Sequence, residues 1–337
     1  MTQFTLELMR MAWPTAWSEI YGRSAPLIIE IGFGNGRFLL DQARQHPASD
    51  YLGIEIARPS LRRAANRVRA AGVANVRLIR ASAQSALQLL CRPGSVQGVT
   101  INFPDPWPKV AHNDRRLIST TFLELLASRM AVGADLDIAT DHVDYGQWIA
   151  EHLRASSYFE SRLATAYMRQ DTERLRTKYE KKGLAAGSAY YYFKWRRNTD
   201  SAPDGYRLVE ELPMPHVVVR SPLTLREIAG HFEPQQRATG AVAIRYIDLY
   251  QSQRRPSLIV DTYIAEEPLD QRLMLEIYRR PDADYLIRLQ ATGFPRPTAG
   301  VHAAIAGLTD WLLSLPGQAR VVRHNLNVWP AVEEGEA

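Results

Sequence analysis

Between about residues 26 and 160 the chain alternates short apolar runs with helical patterns, and this alternation constrains the fold most. Leu27-Ile28-Ile29-Glu30-Ile31 reads as a buried strand, followed by a glycine-rich turn. Residues 38–45 read as the start of a helix, 51–55 as a second strand, and 59–71 as a second helix. Pro59 suits that helix's first turn. Residues 76–79 and 97–103 read as third and fourth strands, 117–130 as a helix, and 136–139 as a fifth strand. Such spacing predicts an α/β fold, an open parallel sheet with helices on both faces. In such sheets ligands bind at the carboxyl ends of the strands, near the switch in strand order.

The length of 337 residues leaves room for two domains. Residues 190–200 read as a strand ending in a polar turn, and Ser201-Ala-Pro-Asp-Gly205 is a linker signal. The boundary is therefore placed there, giving domains 1–199 and 200–337. Beyond it, residues 216–220, 241–250, 257–265, 272–279 and 285–290 read as strands, and 299–315 as one amphipathic helix. That pattern predicts a smaller α+β domain with an antiparallel sheet. The tail 333–337 reads as frayed. There is no internal repeat.

Charge divides along the same line. Of 41 basic and 36 acidic residues, 27 and 18 lie in 1–199, against 14 and 18 in 200–337. The first part therefore carries +9 and the second −4, so a polyanionic partner belongs to the first. One cysteine, Cys91, excludes an intramolecular disulfide and a CxxC metal site. The eight histidines lack HExxH or HxH spacing, so no metal is expected. Glu7 and Arg10 interrupt the N-terminal apolar run, and no run approaches the roughly 18 residues that span a bilayer. The expectation is a cytoplasmic protein with no membrane partner.

Four constellations carry chemistry. In Glu30-Ile-Gly32-Phe-Gly34-Asn-Gly36 the glycines let backbone approach a ligand. A nicotinamide fingerprint needs G-x-G-x-x-G, and Arg37 occupies its third glycine. The Glu-x-Gly-x-Gly-x-Gly form is similar to the first motif of S-adenosylmethionine-dependent methyltransferases. That ligand has no phosphate, and its cationic ammonium and sulfonium favour a carboxylate such as Glu30. A turn needed only for folding is the alternative. Glu55, 25 residues on at a strand end, can accept both ribose hydroxyls of an adenosine, or is a solvated strand-end acid. Ser82-Ala83-Gln84 follows the third strand, at the place for adenine recognition. The fourth constellation is Asn102-Phe-Pro104-Asp105-Pro106-Trp107-Pro108-Lys109 with His112, Arg115 and Arg116. Prolines fix the backbone and aim the Asp105 carboxylate. Trp107 offers a platform for a base. Lys109, Arg115 and Arg116 offer charge for phosphate. A purely structural proline-rich loop is the alternative.

The Phe-Pro-Asp-Pro-Trp-x-Lys-x-x-His run, the glycine motif, Thr140-Asp141 and Thr177-Lys178-Tyr179-Glu180 together resemble the bacterial tRNA (guanine-N7)-methyltransferases. The resemblance covers about residues 20–197 and implies a Rossmann-like methyltransferase sheet. It implies methyl transfer from S-adenosylmethionine to N7 of guanine 46 in the tRNA variable loop. It further implies that Glu30, Gly32, Gly34, Gly36, Glu55, Ser82 and Asp105 contact the cofactor, and that Asp105 is also catalytic. Lys109, Asp141, Thr177, Lys178, Tyr179 and Glu180 fall on substrate-contacting positions. Two residues depart from the family pattern. Ser82 stands where Asp is usual, and Asp114 where a Lys commonly precedes the two arginines. Asp141 has a second reading as N-cap of a helix over 145–153. Cys91 and Tyr190 to Tyr192 read as structural. Competing functions are an exocyclic-amine or other nucleic-acid methyltransferase and a non-catalytic RNA-binding relative. The acidic second domain contains no recognisable chemistry.

Overall fold

The computed structural model describes residues 4–327 except 173, 177–179, 181–188, 204, 207 and 210. The chain divides into two units, Met1–Leu208 and Val209–Ala337. The division lies beyond the polar turn at 201–205 because that segment folds back on the first unit. Arg129 donates from Nη2 to the Tyr206 carbonyl at 2.7 Å, and the Tyr206 hydroxyl donates to the Thr121 carbonyl at 2.7 Å.

The first unit runs β1 (Thr5–Leu6), α1 (Trp17–Tyr21), β2 (Leu27–Ile31), α2 (Arg37–Gln45), β3 (Asp50–Glu55), α3 (Arg58–Ala71), β4 (Val76–Arg80) and α4 (Ala83–Leu90). It continues β5 (Val96–Asn102), α5 (Thr120–Arg129), β6 (Met130–Thr140), α6 (Val143–Ala155), β7 (Phe159–Ser161) and β8 (Tyr191–Arg197). The sheet order is β1-β4-β3-β2-β5-β6-β8-β7. From β1 to β6 every pairing is parallel, as the alternation of strands and helices requires. β8 pairs antiparallel with β6, and β7 antiparallel with β8, so the sheet is mixed rather than wholly parallel. The strand order reverses between β2 and β5. Ile31 pairs with both Ile54 and Ile101, so β2, β3 and β5 end level. The segments after these strands, beginning at Gly32, Ile56 and Phe103, therefore share one edge of the sheet.

The packing that holds this edge is close. Ile29, Leu52, Ile54, Leu78 and Ile79 are fully buried, each worth about 1.5–3 kcal/mol in apolar burial. α2 buries Phe38, Leu39, Leu40 and Ala43, while α3 buries Ser60, Ala64, Ala65 and Val68. The two helices meet at Gly36, which caps α2 in the left-handed region at φ +72°. A Cβ there would stand 2.6 Å from the Ala64 Cβ. β1, α1, α4 and β7 lie outside the sequence expectation, and β6 starts earlier than expected. α4 starts at Ala83 because Ser82 caps it, and β6 begins at Met130, well before Leu136.

The second unit comprises β9 (His216–Arg220), α7 (Leu225–Gly230), β10 (Gln235–Thr239), β11 (Val242–Gln251), β12 (Ser257–Glu266), β13 (Leu269–Arg279), β14 (Tyr285–Leu289), α8 (Ala299–Leu313) and β15 (Arg320–His324). Its sheet, ordered β10-β11-β12-β13-β14-β9-β15, is antiparallel throughout. α8 lays Val301, Ile305, Leu308 and Leu312 into a core with Val217, Leu258, Val260, Leu275 and Ile287. Those helical positions recur at the spacing of one apolar face. The Glu266 carboxylate accepts the Gly300 amide at 2.9 Å and so caps the positive end of that helix. α7, β10 and β15 lie outside the sequence expectation, although Thr224 and Glu227 form a capping box at the start of α7.

Gly36→Ala is expected to combine left-handed backbone strain with the clash against Ala64, lowering stability by about 3 kcal/mol. For a unit of this size calorimetry should read a fall in Tm on the order of 6–12 °C. A shift under a degree would mean that α2 and α3 separate freely.

Candidate active site

Glu30 is the deepest polar group at the shared edge, 3% exposed. Its Oε1 accepts a hydrogen bond from Asn102 Nδ2 at 3.0 Å, across the β2–β5 junction. Its Oε2 is buried with no hydrogen bond of ordinary geometry. Burial pushes the carboxyl up to about 7, against the opposing pull of the Asn102 hydrogen bond and the Arg174 guanidinium. Arg174 completes a buried chain. Its Nη2 donates to Asn102 Oδ1 and its Nε donates to Glu180 Oε1 at 3.2 Å. Its guanidinium lies 5.0 Å from the centre of the Phe38 ring and 5.5 Å from that of Tyr192. Neither Arg174 nor Glu180 reaches solvent by more than 3% of its side chain.

Glu55 ends β3 beside the glycine turn. Its two oxygens accept the Gly34 amide at 2.9 Å and the Ala57 amide at 3.0 Å, so the carboxylate ties the turn to the start of α3. Each oxygen retains a further lone pair for a ligand hydroxyl. Ser82 serves first as a cap: its Oγ accepts the Ser85 amide at 3.0 Å and lies 2.6 Å from Ser85 Oγ.

Asp105 is exposed at the tip of the loop that follows β5. Phe103 and Trp107, on either side, adopt φ of +52° and +42°, conformations that cost energy for large side chains. Packing holds them there. Phe103 meets the Tyr190 ring edge-on at 5.7 Å and packs with Ala139 and Tyr192. Trp107 lies between Arg115, 5.1 Å from its ring centre, and His112, edge-on at 5.8 Å. Arg116 pins the loop from below. It donates to the Pro106 carbonyl from Nε at 2.9 Å and packs 4.8 Å from the Trp148 ring centre. Arg116 is 8% exposed, so its expected phosphate role gives way to a structural one.

These residues wall two adjoining cavities, which share Gly32, Asn102, Phe103, Pro104 and Asp105. One, of about 600 Å³, is lined by Glu30, Gly34, Phe38, Asp141 and His142. The other, of about 520 Å³, is lined by Glu55, Ile56, Ser82, Gln84, Trp107 and Arg115. The sequence reading placed Glu30, Glu55, Ser82, the glycines and Asp105 on one rim, and all lie there. Lys109 is exposed beyond the loop. Asp141 borders the first cavity, while the N-cap of α6 is His142, whose ring accepts the Tyr145 amide. The cap alternative for Asp141 is thereby corrected. Glu180, expected on the substrate side, is buried in its pair with Arg174. Thr177, Lys178 and Tyr179 lie outside the described residues.

Arg174 and Ile56 escaped sequence reasoning, as did the role of Asn102. Arg174 and Asn102 are ordinary residues whose partners lie 72 positions apart. Ile56, 66% exposed on a cavity wall, directly follows Glu55 and offers an apolar surface for a planar ring. Among the described residues, no cluster of His, Cys, Asp or Glu could hold a metal ion, and no helix is long and apolar enough to cross a membrane.

An unpartnered buried carboxylate fits an organic cation, and Glu55 beside an exposed apolar wall fits an adenosine. Fold and site together define an S-adenosylmethionine-dependent methyltransferase. A family model described as "Putative methyltransferase" matches residues 24–193. The tRNA (guanine-N(7)-)-methyltransferase of Deinococcus radiodurans is 33% identical over 305 residues, covering 89% of this chain and 92% of that protein. The one from Thermus thermophilus is 32% identical over 307 residues, covering 89% and 93%. That from Nitrosococcus oceani is 39% identical over 188 residues, covering 56% of this chain and 78% of its own. The chain belongs to the tRNA (guanine-N7)-methyltransferase family. Matches of 89% necessarily include much of the second unit.

Two expectations follow. Glu30 is raised from 4.5 to about 7, so the folded state holds the extra proton between these values. Its contribution to stability is present below 4.5 and lost as pH rises through about 7. Melting curves of the unliganded protein should fall across that window, and Glu30→Gln should flatten the fall. Stabilisation by added S-adenosylmethionine should be greatest at the upper end, where the carboxylate is charged. Arg116→Ala leaves two loop carbonyls without their donor and should cost roughly 2–3 kcal/mol. Denaturant titration reads that loss, and an unchanged midpoint would mean that the prolines alone hold the loop.

Proposed function

We propose that this protein transfers a methyl group from S-adenosylmethionine to N7 of guanine in tRNA, at position 46 of the variable loop as the family resemblance implies. The observation that carries the proposal is Asp105, an exposed carboxylate on a proline-flanked loop that walls both cavities. When bound, S-adenosylmethionine supplies an electrophilic methyl group on a sulfonium. Glu30 and Glu55 hold its cationic and ribose ends, and Ile56, Ser82 and Gln84 border its adenine. The glycine turn, tied to Glu55 through Gly34, lets backbone come close to the ligand.

Guanine N7 carries an in-plane lone pair and needs no deprotonation. The protein's task is therefore to position the base in line and to stabilise the positive charge that moves onto it. Asp105 does the second electrostatically. Lys109 and Asp141 flank the place where the base enters, and Trp107 gives its ring a surface to stack on. Glu180 supports the site through Arg174. The same chemistry assigns the protein to the cytoplasm, where tRNA is modified.

Asp105→Ala should keep the fold and lower kcat/KM for tRNA by about 10²-fold or more. Methyl incorporation followed by nucleoside analysis checks both claims. Near-normal turnover would remove Asp105 from the chemistry. A methylated exocyclic amine in place of 7-methylguanosine would favour the competing enzyme reading.

A further inference from the structure

Residues 56–104 contain eight arginines and no aspartate or glutamate. Five of those arginines (Arg58, Arg62, Arg63, Arg67 and Arg69) lie on α3, and all five are exposed. Helix physics alone argues against this arrangement. Arg58 and Arg62, and Arg63 and Arg67, are like-charge pairs at i, i+4, which destabilise a helix. Arg58 also stands in the first turn, where the helix dipole disfavours a cation.

At 100° per residue, Arg58, Arg62 and Arg69 fall within about 40° of one another and form one row. Arg63 and Arg67 form a second row on the other flank, tied to the protein: Arg63 donates to Ser60 Oγ, and Arg67 donates to the Asn35 carbonyl in the glycine turn. The side chains of the three arginines of the outer row make no hydrogen bond or ion pair with any described residue. Several arginines elsewhere are neutralised by acids. Arg162 and Arg196 share Asp135, Arg23 holds Asp50, and Arg174 holds Glu180. On the second unit, Arg220, Arg272 and Arg288 each grip a buried carboxylate. The outer row starts three residues after Glu55, next to the cavity wall at Ile56, and runs about 16 Å along the helix.

We propose that the outer face of α3 is a docking track for the phosphate backbone of tRNA, leading it to the mouth of the methyl-transfer site. This rests on the reading of tRNA as substrate. The track replaces Arg116, which the structure commits to the loop, as a source of phosphate contact. It also explains why the strand-to-helix crossover after Glu55 carries so much unpaired charge.

The test measures binding of an unmodified tRNA transcript by fluorescence anisotropy between about 50 and 200 mM salt. Arg58→Gln/Arg62→Gln/Arg69→Gln should bind at least about tenfold more weakly, with a log–log salt slope shallower by about two to three. The triple Lys variant should keep most of the affinity. Arg254→Gln/Arg255→Gln/Arg279→Gln, which removes the same charge from the second unit, should lose much less. S-adenosylmethionine affinity, measured alongside, reports that each variant is folded. An unchanged affinity and slope in the α3 triple variant overturns the proposal, as does an equal loss in the charge-matched one. The same samples are scored for 7-methylguanosine. Wild-type protein that binds through α3 but makes none sinks the functional reading alone. Wild-type protein that makes it, with full binding in the triple variant, sinks the docking track alone.

Discussion

A carboxylate buried where two strands diverge is costly unless something offsets its charge, and Glu30 sets that requirement for the whole site. Asn102 satisfies one oxygen and leaves the other buried with no hydrogen bond of ordinary geometry. Arg174 then balances Asn102, and Glu180 balances Arg174. The charged groups of the chain are largely buried, so removing a partner leaves a polar group poorly offset in a low-dielectric interior. Phe38, Tyr192 and, through the aromatic cluster, Phe103 pack around the same chain. The chain therefore ends at Glu30 on a buried carboxylate oxygen whose charge no hydrogen bond offsets.

The Asp105 loop meets a different demand by the same means. The Asp105 carboxylate is exposed, so rigidity has to come from its neighbours. Prolines remove freedom on both sides, and the Phe103 and Trp107 rings are clamped in unfavourable backbone conformations. Arg116 is the keystone of this arrangement, bonded to the loop from beneath and stacked on Trp148. A cation read as a phosphate ligand thus holds the shape of the loop that presents the acid.

Charge follows a similar division. The excess of the first unit is not spread evenly. Some basic side chains there are tied to acids or buried, while α3 alone carries five exposed arginines without an acidic partner. In the second unit, acidic overall, Arg220, Arg272 and Arg288 each pair with a buried carboxylate of the same unit. Net charge by domain gives the sign of the partner, whereas pairing decides which surface meets it.

By itself the sequence determined the alternation of strands and helices, the glycine turn, and the rim on which Glu30, Glu55, Ser82 and Asp105 would meet. These are local signals: apolar runs, prolines and turn residues act within a few positions, and a parallel sheet brings its strand ends to one edge. Tertiary structure alone decided the direction of β8, the roles of Asn102, Arg174, Glu180 and Arg116, and the choice of His142 over Asp141 as a cap. In each case the deciding partner is distant in sequence, or, for the cap, the observed geometry overrides the stronger local propensity of Asp141. Burial and hydrogen-bond geometry, which no local pattern encodes, separate a charge that faces solvent from one that holds the fold.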